Sequence, residues 1–311
     1  MGRAAYPATG SAGVIAEPVS VPRKKKHVQD VLTRSVGRVG RLRLHYATRD
    51  GRTIIARSHC TSPWHLLPPI YLDDTGAAYT LLVNPSGGLV GGDHLSIDMK
   101  VDEGAHVLIS APSANRVYRS LGEVSAQDID LAVGPGAIVE WLPEHTIPFA
   151  GSRFRQKLHA TLAPGATILL WDAIASGRIA RGERWAFATL ENDIRITTAS
   201  GSGLLERYAL DPSTNLGAIG LAAGWDYVAS LYVVNDAITP EVWSRLETRI
   251  GLALDEQSEH ILGGVSQPAV PGVAVKLLAK SAPDLTKMLD ALWAAVRAEL
   301  WNLPPVAWRK Y

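Results

Sequence analysis

Apolar and polar residues alternate along much of the chain between positions 95 and 200. Leu95, Ile97, Met99 and Val101 are separated by Ser96, Asp98 and Lys100. Ile129, Leu131 and Val133 interleave with Asp128, Asp130 and Ala132, and Phe154, Leu158 and Leu162 with Arg155, Lys157, His159 and Thr161. A period of two places one face on a core and the other in water, which predicts strands. A short unit also recurs. Glu103-Gly104-Ala105-His106-Val107-Leu108 resembles Pro135-Gly136-Ala137-Ile138-Val139-Glu140 and Pro164-Gly165-Ala166-Thr167-Ile168-Leu169, with the glycines 32 and 29 residues apart. Each copy follows one alternating strand and opens another, and glycine there permits the positive φ of a tight turn. Such a period predicts strands stacked in layers, each burying its face on the next. A chain merely rich in β-turns would show the same unit.

Helical spacing comes late. Thr239-Pro240-Glu241 offers an N-cap and a proline at the first helical position, followed by Val242, Leu246 and Ile250 on one face. Ser281 with Asp284 opens a second helix whose apolar face is Leu285, Met288, Leu289, Leu292, Val296 and Leu300, stopped by Asn302 and Pro304-Pro305. The expected fold is mainly β, a layered, β-helix-like stack of strands with about two α-helices in the C-terminal third. No βαβ alternation supports a parallel α/β fold.

Composition sets outer bounds. The 311 residues carry 31 Lys+Arg and 30 Asp+Glu, and 47% are hydrophobic. That is enough apolar material for a core and gives no overall bias toward nucleic acid. The one cysteine, Cys60, excludes an internal disulfide and any Cys-rich metal site. Residues 1–50 hold 10 basic and 3 acidic residues, leaving 21 basic and 27 acidic beyond them. Residues 1–39 therefore predict a basic, flexible N-terminal arm, and residues 40–311 a single β-rich domain. The run Arg23-Lys24-Lys25-Lys26-His27 suits either an anionic surface or plain solvation. The most membrane-like stretch, Leu216–Val234, is interrupted by Asp226 and dotted with glycines, so it predicts two buried strands joined near Gly224. The absence of an export signal leads to a cytoplasmic expectation with no membrane contact.

Two stretches could carry chemistry. Asn84-Pro85-Ser86-Gly87-Gly88-Leu89-Val90-Gly91-Gly92-Asp93-His94 places four glycines in six residues. It lacks the Gly-Lys-Ser/Thr ending and following helix of a phosphate cradle. It reads either as a glycine-rich hairpin or as a turn that aims Asp93 at a site. Glu140, Glu144 and His145 lie within six residues and are competent ligands for Ni2+, Zn2+ or Mn2+. They lack the spacing of a closed site, so a weak or transit site fits better. Nucleophilic catalysis has little support, because no Gly-x-Ser-x-Gly elbow is present. The remaining histidines, His106 and His159 included, read as ordinary.

Several ordered strings carry a resemblance. They are Asn84-Pro85 with Gly87 to Asp93, Val117-Tyr118-Arg119, Glu140-Trp141-Leu142-Pro143 with Thr146-Ile147, and Gly177-Arg178 with Gly182-Glu183. Weaker echoes are Gly51-Arg52-Thr53, Pro63, Leu205-Glu206-Arg207 and Trp308. Over residues 40–311 the chain resembles the urease accessory proteins called UreD, or UreH in some systems. The resemblance implies a metallochaperone factor and not an enzyme. It would bind urease apoprotein and UreF, meet the GTPase UreG through UreF, and help deliver Ni2+ to the urease active site, with no tightly bound cofactor. It further implies a mainly β fold with about two helices and an internal acidic passage for transient Ni2+. Matching positions nominate Asp93, Glu140 and Glu183, with Asp172 where the family usually has Glu. Glu144 and His145 stand where Gln and Glu are commoner, Asn115-Arg116 where Thr-Lys is usual, and Ser62-Pro63-Trp64 where Gly-Pro-Leu is usual. Two rival readings are a scaffold with no nickel route of its own, and a β-solenoid hydrolase using Asp93 and Glu140 as an acid–base pair.

Overall fold

The computed structural model describes Gly2, residues 38–218 and residues 222–306. The expected basic arm lies outside the described residues except for Gly2, Arg38 and Val39, as does Trp308. The first strands are β1 (Val39–Arg49), β2 (Arg52–Cys60), β3 (His65–Leu66), β4 (Ala78–Val83), β5 (His94–Val101) and β6 (His106–Ser110). Next come β7 (Asn115–Val117), β8 (Ser125–Val133), β9 (Ile138–Leu142), β10 (Thr146–Pro148), β11 (Arg153–Leu162) and β12 (Thr167–Ala175). The last third holds β13 (Thr189–Thr197), β14 (Gly203–Leu210), β15 (Tyr227–Val234), α1 (Pro240–Asp255), β16 (Ile261–Ser266), β17 (Gly272–Ala279) and α2 (Ala282–Trp301).

The strands form two sheets. One runs β14-β13-β11-β8-β5-β1-β2, the other β16-β17-β15-β12-β9-β6-β4-β3, with β10 and β7 attached to the second beside β12. Parallel pairing joins β5, β8 and β11 in the first sheet and β6, β9 and β12 in the second. The recurring glycine turns connect these two sets, and Gly104, Gly136 and Gly165 all have positive φ. The turns stack directly: Gly104 N–H donates to Pro135 O (3.0 Å), Gly136 N–H to Pro164 O (3.2 Å), and Gly165 N–H to Asp236 Oδ1 (2.9 Å), which closes the ladder. The repeat is thus a stack of solenoid coils, as expected. Antiparallel strands flank it, with β2 and β14 at the edges of the first sheet and β15, β17 and β16 extending the second.

Two apolar layers hold the molecule together. Alternate residues of both sheets, among them Leu95, Ile97, Leu158, Ile168 and Leu170, fill the space between the sheets. The other face of the second sheet packs against α1 and α2 through Trp171, Leu231, Val275, Trp243 and Leu292. The second sheet is therefore covered on both faces and its strands read as continuous apolar runs.

Three local expectations change. Among the described residues of Leu216–Val234 there is one strand, β15, because residues 216–218 and 222–224 are turns and bends; glycines at 217 and 224 supply no side chains to stabilise a strand. On α1 the buried face uses Trp243 in place of Val242. On α2 it adds Trp293 and Arg297. Among the described residues no helix is long and apolar enough to cross a membrane.

Candidate functional site

A polar layer cuts through the apolar space between the sheets. On the first sheet Gln127, Gln156, Asn192 and Tyr208 are register partners across β8, β11, β13 and β14. On the second, Asp172, Ser230 and Lys276 are partners across β12, β15 and β17. The rows meet at Asp172. Gln156 Nε2 donates to its Oδ1 (2.8 Å), and Asn192 Nδ2 (2.7 Å) and Tyr208 OH (3.3 Å) donate to its Oδ2. Burial pushes the Asp172 carboxyl above its ordinary value despite these hydrogen bonds. Burial, then the Asp172 charge, raises the Tyr208 phenol as well.

Beside Asp172 lies a cavity of about 110 Å3, lined also by Gln156, Gln127, Glu144, Asn115 and Trp64. Asn84, Gly87, Gly88 and Arg116 border it. The buried Trp64 indole N–H has no hydrogen-bond partner. Oxygen acceptors and an uncommitted donor make this lining polar enough for water or a hydrated ion. A smaller space of about 20 Å3 lies under α2, between Glu144, His145, Trp171, Leu289 and Asp290. Both are lined by Pro143 and Glu144. His145 Nδ1 is 3.7 Å from Glu144 Oε2, and its ring meets Tyr227 edge-on with centroids 5.5 Å apart. The short link between β9 and β10 thus places Glu144 where the two cavities adjoin. Of the positions that depart from the usual pattern, Trp64, Asn115, Arg116, Glu144 and Asp172 border the larger cavity, whereas Ser62 and His145 do not.

The other nominated carboxylates are occupied elsewhere. Asp93, only 3% exposed, accepts the Arg38 N–H (2.9 Å) and the Val90 N–H (3.0 Å), so it closes the glycine-rich turn. Glycine is required at position 88, where a Cβ would lie 2.4 Å from Arg116 O. Glu183 accepts from Arg178 Nε (2.8 Å) and Nη2 and from the Ala150 N–H (3.1 Å). The Arg178 hydrogen bonds hold Glu183 below the usual carboxylate range. Asp93 and Glu140 do not face a common cleft: Asp93 caps its own turn, Glu140 is fully buried toward α2, and neither lines the cavities above.

Glu140 anchors a network that sequence reasoning missed. Arg297 Nη1 donates to its Oε1 (2.8 Å), Trp293 Nε1 donates to its Oε2, and His106 Nε2 lies 2.6 Å from Oε1. Arg297 also donates to Asp73 Oδ2 (2.8 Å) and, through Nε, to Pro304 O (3.1 Å). Burial would raise Asp73, but the Thr75 hydrogen bonds and the Arg297 charge outweigh it and hold the carboxyl below its ordinary value. A readable signal existed: positions 285, 289, 293 and 297 lie on one helical stripe, so an arginine there implies a buried partner. For Gln156 and Asn192 the signal was a polar residue at an apolar beat, between Phe154 and Leu158 and between Leu190 and Ile194. Among the described residues, no three His, Cys, Asp or Glu side chains are grouped to hold a metal ion.

Comparison with known proteins gives these features a family. The profile described as UreD urease accessory protein matches residues 38–310. The urease accessory protein UreD of Deinococcus radiodurans is 34% identical over 275 residues, covering 88% of this chain and 95% of that protein. The UreD of Cupriavidus necator is 30% identical over 260 residues, covering 82% and 88%. UreD 2 of Streptomyces griseus is 31% identical over 285 residues, covering 89% and 95%. The chain belongs to the UreD family of urease accessory proteins.

Proposed function

We propose that this chain is a non-catalytic urease maturation factor. It joins urease apoprotein with UreF and, through UreF, with UreG, and it conducts Ni2+ toward the urease active site past Asp172, Glu144 and His145. The observation that carries this reading is that Glu144 lines both the cavity between the sheets and the one under α2. Carboxylate and imidazole are suitable Ni2+ ligands. A path that conducts needs few ligands at each step, strong enough to admit the ion and weak enough to release it. A pair such as Glu144 and His145 meets that need better than a closed cage. The acidic balance beyond residue 50 favours attraction of a cation. GTP hydrolysis falls to the partner, since the glycine-rich turn is followed by the strand β5 and not by a helix.

A second reading is a scaffold that holds its partners in register while nickel passes elsewhere. It draws on Asp93, Glu140 and Glu183, whose carboxylates are all engaged by the protein's own donors. The accessory role itself is tested in a host that carries the urease operon with this gene deleted, at limiting nickel. Urease activity and nickel per purified urease should both rise only when the gene is restored. If neither depends on the gene while cognate partners are expressed, the proposal fails.

A further inference from the structure

The polar layer is not symmetrical. Beyond Asp172 it is filled by Asn192 and Tyr208, and it ends at Lys276. The Lys276 ammonium donates to Tyr232 OH (2.6 Å) and Ser230 Oγ (2.9 Å), and lies 2.6 Å from Glu206 Oε1. An ammonium has three N–H donors, and here three oxygens meet them. Glu206 belongs to β14 of the first sheet and Lys276 to β17 of the second, so the ion pair ties the two sheets together. With its side chain 50% exposed, Lys276 sits at the rim of the layer, while Tyr232 beneath it is buried in the core between the sheets.

One carboxylate, one phenol and one hydroxyl around a single point form an oxygen set that a hard or borderline cation would accept. The lysine already occupies it with a covalently tethered positive charge. A mobile cation at Asp172 meets, on this side, an oxygen set with no place left and a like charge in register two strands away. On the other side it meets Gln156, Gln127 and Glu144 around the cavity. We propose that Lys276 is an electrostatic stop at the rim between the sheets, which keeps a divalent cation from escaping sideways and so directs it toward Glu144. The proposal rests on the reading that Ni2+ travels past Asp172. Lys276 acts here as a positioning residue and not as a ligand.

The test uses the complex of the full chain with UreF, UreG and urease apoprotein, supplied with Ni2+ and challenged with increasing EDTA. Nickel bound per urease is measured for the parent, Lys276→Met, Lys276→Arg and Asp172→Asn. With the stop removed, Lys276→Met should be half-inhibited at about tenfold less EDTA than the parent. Lys276→Arg, which keeps the cation, should match the parent. Lys276→Gln removes the same charge but keeps a hydrogen-bond donor toward Tyr232 and Ser230, and serves if Lys276→Met does not fold. If Asp172→Asn fails to transfer nickel while Lys276→Met resists EDTA as the parent does, the route stands and the stop is overturned. If Asp172→Asn transfers as well as the parent, the route is overturned and the stop with it.

Discussion

Arg297 and Glu140 are 157 residues apart in the chain and 2.8 Å apart inside the protein. One lies on the last helix and the other on a middle coil of the solenoid, so the pair fastens α2 to the second sheet. Both side chains are almost completely excluded from water. Removing one partner of such a pair leaves a buried charge uncompensated, which costs about 3–5 kcal/mol. Arg297→Met should therefore lower the unfolding free energy by about that amount, read from urea denaturation. Adding Glu140→Gln to that variant should recover part of the loss. No loss of stability with Arg297→Met, or no recovery in the double variant, would contradict the pairing.

The stacked turns separate two reasons for glycine. Gly136 has φ +61 and open space where a side chain would go. Gly136→Ala meets only left-handed strain, about 1–2 kcal/mol, and Gly136→Asn should recover much of it because asparagine tolerates that conformation. A Cβ at Gly134 would lie 2.8 Å from Val101 O, in the backbone of the neighbouring coil. Gly134→Ala should cost more, and Gly134→Asn should bring no recovery. Thermal melts of the four variants give the comparison.

The buried Asp172 carboxyl predicts a pH dependence. Its folded value lies above its unfolded one, because burial penalises the charged form. The folded chain then holds this proton more tightly, so the contribution is fully present below about pH 4 and is lost as pH rises toward the folded value. Asp73, Asp102 and Glu183 are held low and act in the opposite sense, but they do so equally in parent and variant. The unfolding free energy of Asp172→Asn minus that of the parent should grow as pH rises above 4. A difference independent of pH would contradict the burial argument.

Much of this architecture is legible in the sequence. Strands β5, β8 and β11 face water on one side, so their alternation is plain, and Gly104, Gly136 and Gly165 mark the turns that stack. Strands β12 and β15 are covered on both faces, so they show no period; the Leu216–Val234 reading found β15 but also expected a strand where residues 216–218 and 222–224 turn. The carboxylates were legible one at a time, but their roles were not. Asp93 and Glu183 have local partners, Val90 and Arg178, whereas Glu140 and Asp172 depend on residues brought in from distant strands and from α2. His106 read as ordinary because its contact with Glu140 follows from the pairing of β6 with β9. Glu144 lies beside His145 in sequence, but its place between two cavities follows from the way β9, β10 and α2 come together.

The central claim is that Glu144 and Asp172 border the path taken by Ni2+. The most direct measurement is nickel per purified urease, together with urease activity, at limiting nickel in the gene-deleted host complemented with Glu144→Gln/Asp172→Asn, with Glu183→Gln, or with the parent. Co-purification of UreF and urease with each variant is followed in the same samples. The account predicts that the double variant keeps its partners yet delivers little nickel, while Glu183→Gln delivers as the parent does. Full nickel delivery by the double variant with its partners bound would contradict it and leave the scaffold reading.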